Sequence, residues 1–83
     1  MAPRLRALGG RDVVEALRNF GFEVVATRSS HVKLRRVGPG GLRQTMTVPV
    51  HKELVRGTLL AIYRQALRYV PDAEIRPWFF TRG

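Results

Sequence analysis

The sequence contains no cysteine, so disulfide bonds and thiolate zinc sites are excluded. It holds only two histidines, and its six acidic residues are scattered along the chain, so we expect neither a metal site nor a small-molecule cofactor. No apolar run is long enough to cross a membrane or to serve as a signal peptide. We therefore expect a cytoplasmic protein with no membrane partner.

Positive charge is what the chain has in excess. Fifteen Lys and Arg residues against six Asp and Glu residues give a formal net charge of +9. Such a charge favours polyanionic partners, with nucleic acid first and an acidic protein second. A chain of 83 residues supports a thin two-layer core. We predict a single domain over residues 1–83, with its core at about residues 8–70 and a divergent aromatic tail at residues 71–83.

Hydrophobic spacing predicts two amphipathic helices. The first covers residues 11–20 and ends at Gly21 in the left-handed conformation. The second opens at residues 57–58 with Thr58 as a plausible cap and runs to Pro71. The residues before the first helix are expected to be loosely held. The apolar stripes are formed by Val13, Ala16, Leu17 and Phe20 in the first helix and by Leu59, Ile62, Tyr63, Ala66 and Val70 in the second.

Between the helices, alternating β-branched residues predict three strands at residues 22–27, 31–36 and 42–48. The first should place Phe22, Val24 and Ala26 on one side. Short connections make the strands an antiparallel meander in the order α-β-β-β-α. The fold class is therefore α+β, with both helices on one face of a three-stranded sheet, as in the double-stranded-RNA-binding domain.

The open face of this sheet carries a histidine among cations. If Val32 and Leu34 face the core, the period of two places His31, Lys33 and Arg35 on the solvent side. An imidazole both takes and gives a proton near neutrality, and the neighbouring cations favour an anionic ligand. The pattern points to a phosphodiester.

Several short motifs occur in a fixed order along the chain: Gly10-Arg11-Asp12-Val13-Val14-Glu15-Ala16-Leu17, Gly21-Phe22, Ser30-His31, Val48-Pro49-Val50-His51 and Gly57-Thr58-Leu59. Together they resemble the HicA (YcfA-like) toxins of bacterial toxin-antitoxin systems. The resemblance implies a metal-independent ribonuclease that cleaves mRNA, with His31 at the catalytic histidine position, and that is silenced by a HicB antitoxin covering the active site. Ser29 departs from the family, which usually has Gly there.

In such a mechanism His31 takes the proton of the ribose 2′-hydroxyl, and Lys33 or Arg28 stabilises the charge on the phosphate. His51 is a candidate second proton-transfer group or simply a loop residue. The same fold and charge also suit a non-catalytic RNA-binding module or a DNA-binding accessory domain. The aromatic tail packs on the domain, docks a partner or stacks bases. The residues predicted to contact RNA are Arg28, Ser30, Lys33, Arg35, Arg36, Arg43 and His51.

Overall fold

The computed structural model describes residues 2–82 and gives the order of elements predicted from the sequence, with a short 3-10 helix at Pro39–Gly41 between the second and third strands and one further α-helix at the C-terminal end. The α+β class and the antiparallel three-stranded sheet are confirmed for these residues. None of the helices in residues 2–82 is long and apolar enough to cross a membrane. The elements are α1 (Gly10–Arg18), β1 (Glu23–Arg28), β2 (His31–Val37), β3 (Arg43–Pro49), α2 (Arg56–Ala66) and α3 (Asp72–Phe79).

The first helix forms where its apolar stripe predicts. Val13, Ala16 and Leu17 are buried. A carboxylate oxygen of Asp12 accepts the backbone N–H of Gly9 at 2.8 Å, which satisfies a donor at the start of the helix. Gly21 follows the helix with φ of +88°, so the predicted left-handed stop is confirmed.

The central strand β2 pairs with β1 on one side and β3 on the other. Val32 lies opposite Val48, and Leu34 lies opposite Met46, and all four side chains are buried against the helices. Burying these alternate positions fixes the register, because a slip of one residue would turn the apolar set to solvent. The other face of β2 is left open, as predicted.

The edge strand β1 departs from the predicted alternation. Val24 pairs with Leu34 but Ala26 pairs with Lys33, so Val25 is an extra residue in a β-bulge. The predicted common side for Phe22, Val24 and Ala26 is therefore wrong at Ala26, which faces the open side. Every residue of β1 is exposed.

Helix α2 begins slightly earlier than predicted. Arg56 is its first residue and Val55 occupies the cap position without a side-chain bond, so the prediction of Thr58 as the cap is wrong. The helix ends at Ala66, so its predicted continuation to Pro71 is wrong, and Val70 is buried from the turn that follows. The predicted apolar stripe of this segment is confirmed, because all five of its members are buried.

The C-terminal segment forms a helix that the sequence did not predict. Helix α3 contains Pro77 and buries Ile75 and Phe79 in the same core as the sheet. Trp78 meets the ring of Phe20 edge-on at 6.2 Å between centroids. Of the three roles predicted for the aromatic tail, packing on the domain is the one these contacts support.

The N-terminal segment is tied to that helix end. The backbone N–H of Arg6 donates to the carbonyl of Phe79 at 2.8 Å, and the N–H of Thr81 donates to the carbonyl of Arg4 at 2.7 Å. Leu8 is buried. The expectation of a loosely held lead-in is therefore wrong for residues 4–8, because backbone pairing and an apolar anchor hold them. Met1 lies outside the described residues.

Candidate functional site

A tight turn places His31 at the end of the open sheet face. Arg28 and His31 are cross-strand partners, so Ser29 and Ser30 alone connect β1 to β2. Ser29 has φ of +52°, a conformation that usually selects glycine in such turns. The carbonyl of Ser30 accepts the backbone N–H of Val50 at 2.6 Å, which fastens the turn to the segment after β3.

His31 shares its surroundings with two cations. The side chains of Arg28, His31 and Lys33, with Ala26 and Thr47, line one shallow pocket. Because of the bulge in β1, Ala26 lies opposite Lys33, and Arg28 lies on the open face beside His31. His31 itself is exposed. An anion entering this pocket meets an imidazole and two positive charges.

Arg28 and Lys33 form no salt bridge with an acidic residue in residues 2–82. Within residues 2–82 the only salt bridge joins Arg76 and Asp72 at 3.0 Å, both on α3. Glu23 lies on the open face at the other end of β1, opposite Arg35. The positive charge of Arg28 and Lys33 is therefore available to a ligand.

Arg36 lies on the helix-covered side of β2, and its guanidinium is engaged by the fold. It donates to the side-chain oxygen of Gln44 at 2.5 Å and to the carbonyls of Phe20 at 2.7 Å and Tyr69 at 2.6 Å. It also stacks over the ring of Phe22, 4.9 Å from the centroid. These contacts contradict its predicted availability to RNA, and its role is to tie both helix ends to the sheet.

Arg35 and Arg43 share the open face but lie farther from His31. Arg43 pairs with Val37 at the other end of the sheet, about 20 Å from His31 at roughly 3.3 Å per strand residue. Arg35 lies between them, and its Nε is buried without a hydrogen-bond partner. The structure therefore groups Arg28, His31 and Lys33 closely and spreads the remaining cations along the sheet.

His51 lines a different cleft. Its walls are the start of α1 and the segment after β3, and they include Arg11 and Lys52, which the sequence did not single out as site residues. The adjacent His51 and Lys52 in the β3–α2 connection were the available signal, but their approach to Arg11 at the start of α1 depends on tertiary packing. Among residues 2–82, no group of three or more His, Cys, Asp or Glu side chains is arranged to hold a metal ion.

Comparison with known proteins gives one match. A family model, the HicA toxin of bacterial toxin-antitoxin systems, matches residues 10–67, which is more than half of the chain. No curated protein and no solved structure matches the chain. The match covers α1, the sheet and α2, including the His31 pocket and every residue of the His51 cleft except Gly9. The chain therefore belongs to the HicA toxin family, whose members are the toxins of toxin-antitoxin systems and have an antitoxin as their partner.

Proposed function

We propose that this toxin is a metal-independent endoribonuclease that cleaves mRNA with His31 as its acid/base. The observation that carries the proposal is the exposed imidazole of His31, held in one pocket with Arg28 and Lys33 on the open sheet face. The imidazole supplies proton transfer, and the two cations supply attraction for a phosphodiester.

The reaction uses the ribose of the RNA as its nucleophile. Neutral His31 accepts the proton of a 2′-hydroxyl while that oxygen attacks the adjacent phosphorus. The bond from phosphorus to the 5′-oxygen of the next nucleotide breaks, that oxygen takes a proton from solvent water, and His31 returns to solvent the proton it accepted. The products are a 2′,3′-cyclic phosphate and a free 5′-hydroxyl, so every bond is accounted for without an added co-reactant.

Arg28 and Lys33 stabilise the charge that gathers on the phosphate in the transition state. Removing one such donor from other enzymes costs about 3 to 4 kcal/mol of transition-state stabilisation. Ser30 lies in the turn just before His31, and Arg35 and Arg43 extend the cationic face. We propose that all three contact the RNA backbone. Arg36 is not part of this set.

The donor set supports chemistry without a metal ion. The acidic residues are scattered along the chain, and residues 2–82 form no cluster of metal-ligating side chains. His51 lines another cleft, so we do not assign it the second proton transfer.

We further propose that the antitoxin is a HicB-like acidic protein that covers the open sheet face. The unpaired cations of that face are the surface an acidic partner would neutralise. Because its proposed substrate is mRNA, we propose that the toxin acts in the cytoplasm. We also propose that residues 1–83 act as one domain.

Cleavage of RNA in excess chelator tests the proposal. The purified protein is incubated with an RNA oligonucleotide and with the deoxyribose oligonucleotide of the same sequence. We expect the wild type to cut only the RNA and to leave 2′,3′-cyclic phosphate ends, and we expect His31→Ala to bind the RNA without cutting it. Intact RNA with both proteins would instead support the non-catalytic RNA-binding module. Tighter binding of duplex DNA, with no preference for ribose, would support the DNA-binding domain.

A further inference from the structure

The cleft beside the start of α1 is a second cationic surface that the His31 chemistry does not use. Arg11, His51 and Lys52 line it together with Gly9, Asp12 and Val50. Arg11, His51 and Lys52 are exposed, and none of the three forms a salt bridge within residues 2–82.

The walls of this cleft are held in fixed positions by backbone contacts. The N–H of Gly10 donates to the carbonyl of His51 at 2.9 Å, and the N–H of Leu54 donates to the carbonyl of Leu8 at 2.9 Å. A Cβ atom added to Gly9 would lie 2.3 Å from the carbonyl oxygen of Lys52. Only a residue without a side chain permits this approach, so the cleft is built by close packing of two segments and is not a chance gap between loops.

Asp12 is the one acid in this cleft, and its carboxylate is already engaged. It accepts the N–H of Gly9 at 2.8 Å at the start of α1. The net charge of the lining side chains remains positive because Arg11 and Lys52 outnumber it, even with His51 neutral. An anionic group is therefore the ligand that the cleft favours.

The cleft begins next to the proposed catalytic pocket. Pro49 is the cross-strand partner of His31, and His51 follows it by only two residues. Cα atoms paired across antiparallel strands are about 5 Å apart, and each further residue adds at most about 3.6 Å, so the Cα atoms of His31 and His51 lie within roughly 12 Å. The bond from Val50 to the Ser30 carbonyl holds the two regions together.

We propose that Arg11, His51 and Lys52 form a second phosphate subsite, which holds the RNA backbone a few nucleotides away from the bond that is cut. The inference rests on the proposed function for the identity of the strand, and it adds a binding role for residues that take no part in the chemistry. A single strand that places one phosphodiester at His31 passes a neighbouring phosphate into this cleft. Contacts of this kind position the RNA and carry no sequence information.

Binding to an RNA that cannot be cleaved tests this subsite separately from catalysis. A fluorescent twelve-nucleotide 2′-O-methyl RNA lacks the attacking hydroxyl, so its dissociation constant is measured with Arg11→Gln and Lys52→Gln in the otherwise native protein. Arg18→Gln is the matched control, because Arg18 is an exposed arginine at the other end of the same helix. All variants are first compared for their folding by circular dichroism.

We expect Arg11→Gln and Lys52→Gln each to weaken binding roughly fivefold, and Arg18→Gln to change it less than twofold. The association constant decreases as salt is added, and on logarithmic axes this decrease should become less steep by about 0.7 for each lost phosphate contact. In the double variant Lys33→Gln Lys52→Gln, the fold-losses of affinity of the two single variants should multiply. The complex should still contain one RNA per protein, because one strand occupies both surfaces.

Equal effects of Arg11→Gln, Lys52→Gln and Arg18→Gln would overturn the subsite even if the protein cleaves RNA. Loss of affinity for an acidic antitoxin, with unchanged RNA binding, would also overturn it and assign the cleft to the protein partner. The expected pattern without any RNA cleavage would uphold the subsite and refute the ribonuclease activity.

Discussion

The two faces of the central strand β2 have different roles: the buried face stabilises the fold, and the open face carries the residues of the proposed chemistry. Val32 and Leu34 are buried between the sheet and the helices, whereas His31 and Lys33 point to solvent on the open side. The inner residues contribute the burial that stabilises a small domain, and the outer residues contribute little to stability. Alternate residues of one strand can therefore be changed to disturb either the fold or the proposed chemistry.

Arg36 shows where this division is incomplete. It is a cation on the inner side, and it is retained there because three acceptors and an aromatic face compensate for its desolvation. Its neighbour Arg35 is on the outer side, and its buried Nε has no hydrogen-bond partner within residues 2–82. Charge alone does not tell a structural arginine from one that is available to a ligand.

The largest expected effect on stability comes from the inner face. Leu34→Ala removes a fully buried side chain and leaves a cavity, so we expect the free energy of unfolding to fall by about 3 kcal/mol. Lys33→Ala on the outer face should change it by less than about 0.5 kcal/mol. Urea denaturation of both variants measures the difference. Equal losses would break the division between the faces.

The neighbouring arginines give the next comparison. Arg36→Met leaves the carbonyls of Phe20 and Tyr69 without their donor, so we expect a loss of about 2 kcal/mol in unfolding free energy. Arg35→Met removes no hydrogen bond and should be nearly neutral for stability. Thermal denaturation followed by circular dichroism checks both. A neutral Arg36→Met would contradict its assignment as the tie between the helix ends and the sheet.

The outer cations are expected to affect RNA binding without affecting stability. Arg28→Gln and Lys33→Gln should each weaken binding of a single-stranded RNA. Each should also make the decrease of the association constant with salt, on logarithmic axes, less steep by about 0.7. Arg64→Gln is the control, since this exposed arginine lies on α2 and away from the sheet face. If all three variants lost affinity alike, RNA binding would reflect net charge and not this pocket.

The smallest expected effect concerns the turn before His31. Ser29→Gly relieves the positive φ of Ser29 but gives the unfolded chain more freedom, so we expect a net stabilisation of about 0.5 kcal/mol. Ser30→Gly gains no such relief and should be destabilising, because Ser30 does not have a positive φ. Melting temperatures of the two variants decide this. A lower melting temperature for Ser29→Gly would show that the serine side chain stabilises the turn.

Much of the fold could be predicted from the sequence because its signals are local. The stripe of Val13, Ala16 and Leu17 and the alternation of Val32 and Leu34 each follow from the period of one element. The bulge at Val25 was missed because no glycine marks it, and it changes which side chains of β1 reach the open face. The predicted turn needed no glycine, since Ser29 adopts the positive φ itself.

The features that depend on contacts between distant segments were not predicted. Helix α3 gives a weak sequence signal because Pro77 interrupts its pattern, yet Ile75 and Phe79 bury it in the core. The cluster of Arg11 with Lys52 exists only because α1 begins against the β3–α2 connection. The position of His31 on the exposed face, by contrast, followed from strand alternation alone.

His31→Ala and Val32→Ala change adjacent residues on opposite faces of β2, so together they separate catalysis from stability. For each variant, the rate of RNA cleavage at saturating RNA in excess chelator and the free energy of unfolding are determined. We predict that His31→Ala lowers the cleavage rate at least 100-fold, the usual minimum for loss of a general acid or base, and leaves stability unchanged. Val32→Ala should lose about 2 kcal/mol of stability and retain cleavage while folded. Cleavage by His31→Ala within about threefold of the wild-type rate would show that His31 is not the acid/base, since loss of a general acid or base costs far more.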